Sequence, residues 1–111
     1  MEMNKLKYVY NKLVRDKIPE NINEKKNKKC NYKILNDDEY TKELNKKLLE
    51  EANEFIEGHS IEELGDLMEV IFAIMEKENI SIEEVEKVRI EKKKSRGGFK
   101  DKIYLIDVEE E

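Results

Sequence analysis

The chain has 111 residues, 44% of them charged and 38% hydrophobic, with one proline and no tryptophan, a length that fits a single domain over 1–111 and not two. Net charge is −5 from 27 acidic and 22 basic residues, and the bases are scattered, which argues against a protein that coats nucleic acid but leaves nucleotides open as ligands. A lone Cys30 and a lone His59 exclude an intrachain disulfide, Ser-His-Asp or Cys-His catalysis and a Cys/His zinc site, so any chemistry must come from carboxylates, lysines, arginines or a metal they hold.

The N-terminus lacks the apolar region of a signal peptide, and no apolar run approaches the ~20 residues needed to cross a bilayer. With a single cysteine, the expectation is a soluble cytoplasmic protein. A first short helix is predicted to start near Asp16, with Pro19 tolerated in its first turn, and to end before Cys30. The Lys/Asn-rich stretch from Asn23 to Asn31 reads as an exposed helix end and loop. Cys30, Tyr32 and Ile34 alternate with polar residues, and Ile103-Tyr104-Leu105-Ile106 is rich in β-formers; together they predict a short two-stranded pairing.

Asn36 or Asp37 can cap a helix that runs to Gly58, a residue suited to a left-handed helix end. Ser60 with Glu63 has the spacing of a capping box, and the helical pattern continues to about Asn79. A second such box, Ser81 with Glu84, opens a further helix that stops at Gly97-Gly98. The fold class is therefore mainly α, and the short link at Gly58-His59 makes its first two long helices an antiparallel hairpin.

The helix before Gly58 puts Leu44, Leu48, Ala52, Phe55 and Ile56 on one stripe, with Glu51 at its margin and Glu50 and Glu54 just beyond. The next helix carries an apolar arc of roughly 200°, which predicts burial on more than one side. Glu63 and Asp66 fall within that arc and are expected to face the core, where a carboxylate needs a base or a cation beside it. Folding the chain at the link brings Glu51, Glu54, Glu63 and Asp66 to one level, and four hard oxygen donors suit Mg²⁺ or Mn²⁺. The competing explanation is that Glu63 only completes the Ser60 box, while Glu50, Glu51 and Glu54 form a solvated face paired with Lys46 or Lys47.

In the last helix the stripe Ile82, Val85, Val88 continues into Arg89, Lys92, Lys93 and Arg96, so an apolar face turns basic. Lys93 and Arg96 are the best placed to grip phosphates, against the alternative that they merely favour a helix C-terminus. Arg15 and Lys17 lie just before a helix N-terminus, where anions are favoured, although plain surface charge also explains them.

These strings resemble a known family. Glu50-Glu51-Ala52-Asn53-Glu54 and Glu63-Leu64-Gly65-Asp66 match the EExxE and ExxD signature of the all-α nucleoside triphosphate pyrophosphohydrolases, the MazG-like and phosphoribosyl-ATP pyrophosphohydrolase-like superfamily. The opening YNKLVRDKIPE and the later KSRGGF resemble its house-cleaning branch, so the likeness runs over nearly the whole chain, although the gap between the acidic motifs is shorter than in many members.

The resemblance implies hydrolysis of a nucleotide between its α- and β-phosphates, with Mg²⁺, or Mn²⁺, at the acids. It implies Glu51, Glu54, Glu63 and Asp66 as metal ligands, Glu50 as the residue that orients or deprotonates water, and Lys93, Arg96, Arg15 and Lys17 on the phosphates. It also implies a bundle completed by oligomerisation, a dimer before a tetramer. The alternatives are phosphoribosyl-ATP as substrate, or a catalytically silent helical module that binds nucleotides or regulates a partner.

Overall fold

The computed structural model describes residues 6–111, and the chain is mainly helical. Its elements are α1 (Ile18–Asn23), α2 (Asp37–Gly58), α3 (Ile61–Lys77) and α4 (Ile82–Arg96). Pro19 sits in the first turn of α1, where its missing N–H costs no helical bond. Cys30 folds back on α1, its N–H donating to Asn23 Oδ1 at 3.2 Å and its thiol to the Pro19 carbonyl at 3.5 Å.

Asn36 caps α2 as a full box: its Oδ1 accepts from the Glu39 N–H at 2.9 Å, and Glu39 Oε1 accepts from the Asn36 N–H at 3.3 Å. The backbone bond to Asn36, and then Lys33, hold the Glu39 carboxyl below the ordinary carboxylate range. A depressed folded-state value means the ionised form supports the native state; that support is present above pH 4.5, the ordinary value, and is lost as pH falls through the lowered one. Asn36→Ala should lower stability by about 1 kcal/mol in urea denaturation at neutral pH; no change in midpoint would mean that the box does not hold the helix.

At the other end of α2 the left-handed residue is His59, at φ 53°, and not Gly58 as the sequence suggested. Its N–H donates to the Phe55 carbonyl at 2.7 Å, and its ring stands edge-on to Phe55 with centroids 5.1 Å apart. Ser60 Oγ accepts from the Glu63 N–H at 3.0 Å, as a cap should. The Glu63 carboxylate does not return to the Ser60 backbone; it accepts from the Ser60 hydroxyl at 3.0 Å. Both halves of the Ser81–Glu84 box are made, and α4 ends before Gly97 at φ 84°.

The β pairing does not form: among the described residues there is no strand. Ile34 and the Ile103–Ile106 run carry no regular secondary structure and are exposed. β-forming side chains favour a strand only when a partner backbone is within reach, and here the two runs find none.

The main packing is α2 against α3 across the two-residue link. Leu44, Val70 and Met75 are its buried hydrophobic residues, and Glu51 is buried beside them. The α2 stripe is buried or half-buried at Leu44, Leu48, Ala52 and Phe55 but open at Ile56. On α3 the arc is closed only along part of its width; Leu64, Met68, Ile71 and Phe72 remain partly open. α4 buries no residue. Among the described residues no helix is long and apolar enough to cross a membrane.

Candidate metal centre

Helical spacing puts Glu50, Glu51 and Glu54 side by side on α2, since positions four apart share a face. One carboxylate oxygen from each lies within 4.8 Å of the others. Glu51 is the buried member, only 7% exposed, because it stands at the margin of the stripe that packs on α3. Its Oε1 lies 3.4 Å from Lys47 Nζ, one helical turn earlier. Its Oε2 is buried with no hydrogen-bond partner. A carboxylate oxygen in that position loses its water and gains nothing in return, so it calls for a proton or a cation.

Glu54, beside it, has its carboxyl held above the ordinary carboxylate range. The first cause is the hydrogen bond that its protonated form makes to Glu51; repulsion from the Glu51 charge, desolvation and Glu50 add to it, against Lys47. Two carboxylates this close hinder one another's ionisation, and a proton or a cation between them relieves the repulsion.

Glu63 reaches the same region from α3. With Glu54, Glu57 and Gly58 it lines an open hollow of about 470 Å³. Gly58 leaves that carboxylate its place, because a Cβ there would overlap it. The Asp66 carboxylate is half-exposed and not in the core; its Oδ1 accepts from Arg15 Nη2 at 2.7 Å. The expectation that Glu63 and Asp66 both face the core is therefore corrected: both are half-buried, Glu63 at the helix entrance and Asp66 in contact with Arg15.

Thus the structure brings Glu50, Glu51 and Glu54 together, seats Glu63 beside Glu54, and couples Arg15 to Asp66. Lys17, Lys93 and Arg96 are exposed and make no ion pair with these acids among the described residues. Two cations prominent here were not singled out as site residues. Lys47, whose side chain is only 17% exposed, bridges Glu51 and Glu50, at 3.4 and 3.6 Å. Lys12 reaches Glu50 Oε1 at 3.3 Å. The Lys47 contacts were readable as i,i+3 and i,i+4 pairs, whereas the Lys12 and Arg15 contacts span 38 and 51 residues and carry no local signal.

Among the described residues Glu50, Glu51 and Glu54 form the one group whose oxygens meet, while Glu63 lies across the hollow with Glu57 and Asp66 is held by Arg15. An all-oxygen set fits a hard divalent ion, and the orphaned Glu51 Oε2 gives it a place to bind. A larger hollow of about 660 Å³ lies between α1 and Tyr32–Ile34, but Asp16, Glu20 and Glu24 line it without a cation, which suits no phosphate. No protein-family model, curated protein or solved structure matches the chain significantly.

Proposed function

We propose that the chain is a Mg²⁺-dependent nucleoside triphosphate pyrophosphohydrolase of the all-α type it resembles, acting on a noncanonical NTP or dNTP in the cytoplasm. The observation that supports this most is the buried, unpartnered Glu51 Oε2 set among carboxylates. Glu51, Glu54, Glu63 and Asp66 would hold Mg²⁺, or Mn²⁺. When bound, the ion supplies neutralisation of charge on the phosphate oxygens.

The chain's own residues do the rest. Glu50 orients a water and takes its proton as the water oxygen attacks the α-phosphorus; the α–β bridging P–O bond breaks, giving the monophosphate and pyrophosphate. Arg15 stands one side chain from the acids and can exchange its carboxylate partner for a phosphate. Lys17, Lys93 and Arg96 stabilise charge on the departing pyrophosphate. The working form is a homodimer, or a tetramer built from it, with no nucleic acid or membrane partner.

The test is pyrophosphate release from a panel of canonical and modified triphosphates and phosphoribosyl-ATP, with Mg²⁺ omitted and restored. Metal-dependent release is expected; preference for phosphoribosyl-ATP would reassign the substrate. The ion pairs from Lys12 and Lys47 onto Glu50 and Glu51 favour a second reading, a silent helical module that keeps its acids as a paired face. No release with any nucleotide would select it.

Gly58 gives a finer probe. Gly58→Ala lies in a helix and should raise helix stability slightly while displacing the Glu63 carboxylate. Mg²⁺ affinity measured by calorimetry is expected to fall about tenfold, the scale seen when the support of a ligand is disturbed. An unchanged affinity would remove Glu63 from the ligand set.

A further inference from the structure

The chain leaves far more surface open than a folded monomer of its size. Its accessible area is 11325 Å², against about 6,450 Å² for a compact protein of 13.3 kDa. Its radius of gyration is 20.4 Å, and its longest dimension is 82 Å; a compact chain of this length has a radius near about 13 Å. The excess, about 4,900 Å² per chain, is several times the ~800 Å² per partner that a standard interface removes and about twice what a large obligate homodimer removes. Face-to-face contact of two α2–α3 pairs does not account for it.

Part of the remainder lies at the C-terminal end. Beyond Gly98 a turn closes, with Lys102 N–H donating to the Phe99 carbonyl at 3.1 Å and Lys102 itself left-handed at φ 60°. From there residues 103–108 run without regular secondary structure or a strand partner. Phe99, Ile103, Tyr104, Leu105, Ile106 and Val108 are 74 to 98% exposed. An apolar segment with an unpaired backbone is a template for another chain. At 1.5 Å per residue, the 15-residue α4 carries the root of this arm about 22 Å from the α3–α4 turn, and α4 makes no extensive contact with α3 among the described residues.

We propose that this C-terminal arm, residues 99–108, is exchanged between two copies of the chain, each arm lying on the apolar faces that α3 and α4 of the other copy leave open. Those faces are Leu64, Met68, Ile71 and Phe72 on α3, with Val85 and Val88 on α4. A second copy is the occupant because the missing burial is too large for one flat contact and because an exchange buries both the arm and the face in each chain. The inference rests on the homodimer of the proposed function but not on its chemistry: crosslinks and arm variants test the exchange, and pyrophosphate release tests the chemistry separately.

The test uses the full chain. Sedimentation at micromolar concentration should give a mass of two chains, or of a tetramer built from such pairs. A photo-crosslinking amino acid introduced at position 104, in place of Tyr104, should join separate chains. Ile103→Asp and Ile106→Asp should each weaken self-association about tenfold, and because both side chains are exposed in the single chain the helical far-ultraviolet signal should stay unchanged. A monomer, crosslinks that stay within one chain, or unaltered association of the arm variants would each overturn the proposal.

Discussion

Glu51→Gln should give a protein that is more stable than the parent in chelator and inert in the presence of Mg²⁺. In the parent, Glu51 Oε2 is buried without a partner beside Glu54. Leaving a buried acceptor unsatisfied costs about 1–3 kcal/mol. The glutamine keeps the shape, removes the charge and offers an N–H to the Glu54 carboxylate, so repulsion becomes a hydrogen bond. Against this stands the lost attraction to Lys47, whose pair with Glu51 at 3.4 Å is largely shielded, the two side chains being 17% and 9% exposed. Breaking a buried pair is costly when it strands a charge, but Lys47 keeps Glu50 at 3.6 Å. The net expectation is a gain in chelator smaller than the ~1–3 kcal/mol released at Glu51, read from urea denaturation.

Activity should move the opposite way. Disturbing even the outer support of a ligand reduces metal affinity or rate by about 10–100-fold, so loss of Glu51 itself should reduce pyrophosphate release by more than about a hundredfold. The parent should also be stabilised by Mg²⁺, by about 2.7 kcal/mol when the ion is at a hundred times its dissociation constant, and the variant should not. A Glu51→Gln protein that is less stable than the parent in chelator would identify the Lys47–Glu51 pair as structural and support the silent module.

Much of this arrangement was legible in the sequence, and the reasons are local. The caps at Asn36, Ser60 and Ser81 depend on side chains three residues from their partners, so the starts of α2, α3 and α4 followed directly. The grouping of Glu50, Glu51 and Glu54 needs only helical spacing. The turn was less legible. Gly58 looks like a left-handed residue until Glu63 is seen to occupy the space its missing side chain leaves, and His59 then takes the left-handed position. The orientation of Asp66 was not accessible at all, because Arg15 reaches it from 51 residues away. The expected strand failed for a related reason: Ile103–Ile106 has the composition of one, but pairing depends on a second backbone that this chain does not bring near.

Mg²⁺ affinity should rise with pH through the titration of Glu54 and level off above it. Contact with Glu51 raises the Glu54 carboxyl above the ordinary value of 4.5. For an acid with a raised folded-state value, the native chain binds the proton more tightly than the unfolded chain does. Its contribution to stability is therefore present below pH 4.5 and is lost as pH rises to the raised value. The metal-free protein should become less stable across that window, as the proton between Glu51 and Glu54 departs and leaves two charges in contact. A divalent ion replaces that proton, so binding should release protons within the window and none well above it. Calorimetry in two buffers of different ionisation enthalpy measures the release directly. Glu51→Gln removes the largest of the causes that raise Glu54, so in that variant the chelator-state slope and the proton release should both shrink. A parent whose Mg²⁺ affinity is flat across the window would show that Glu54 takes no part in holding the ion.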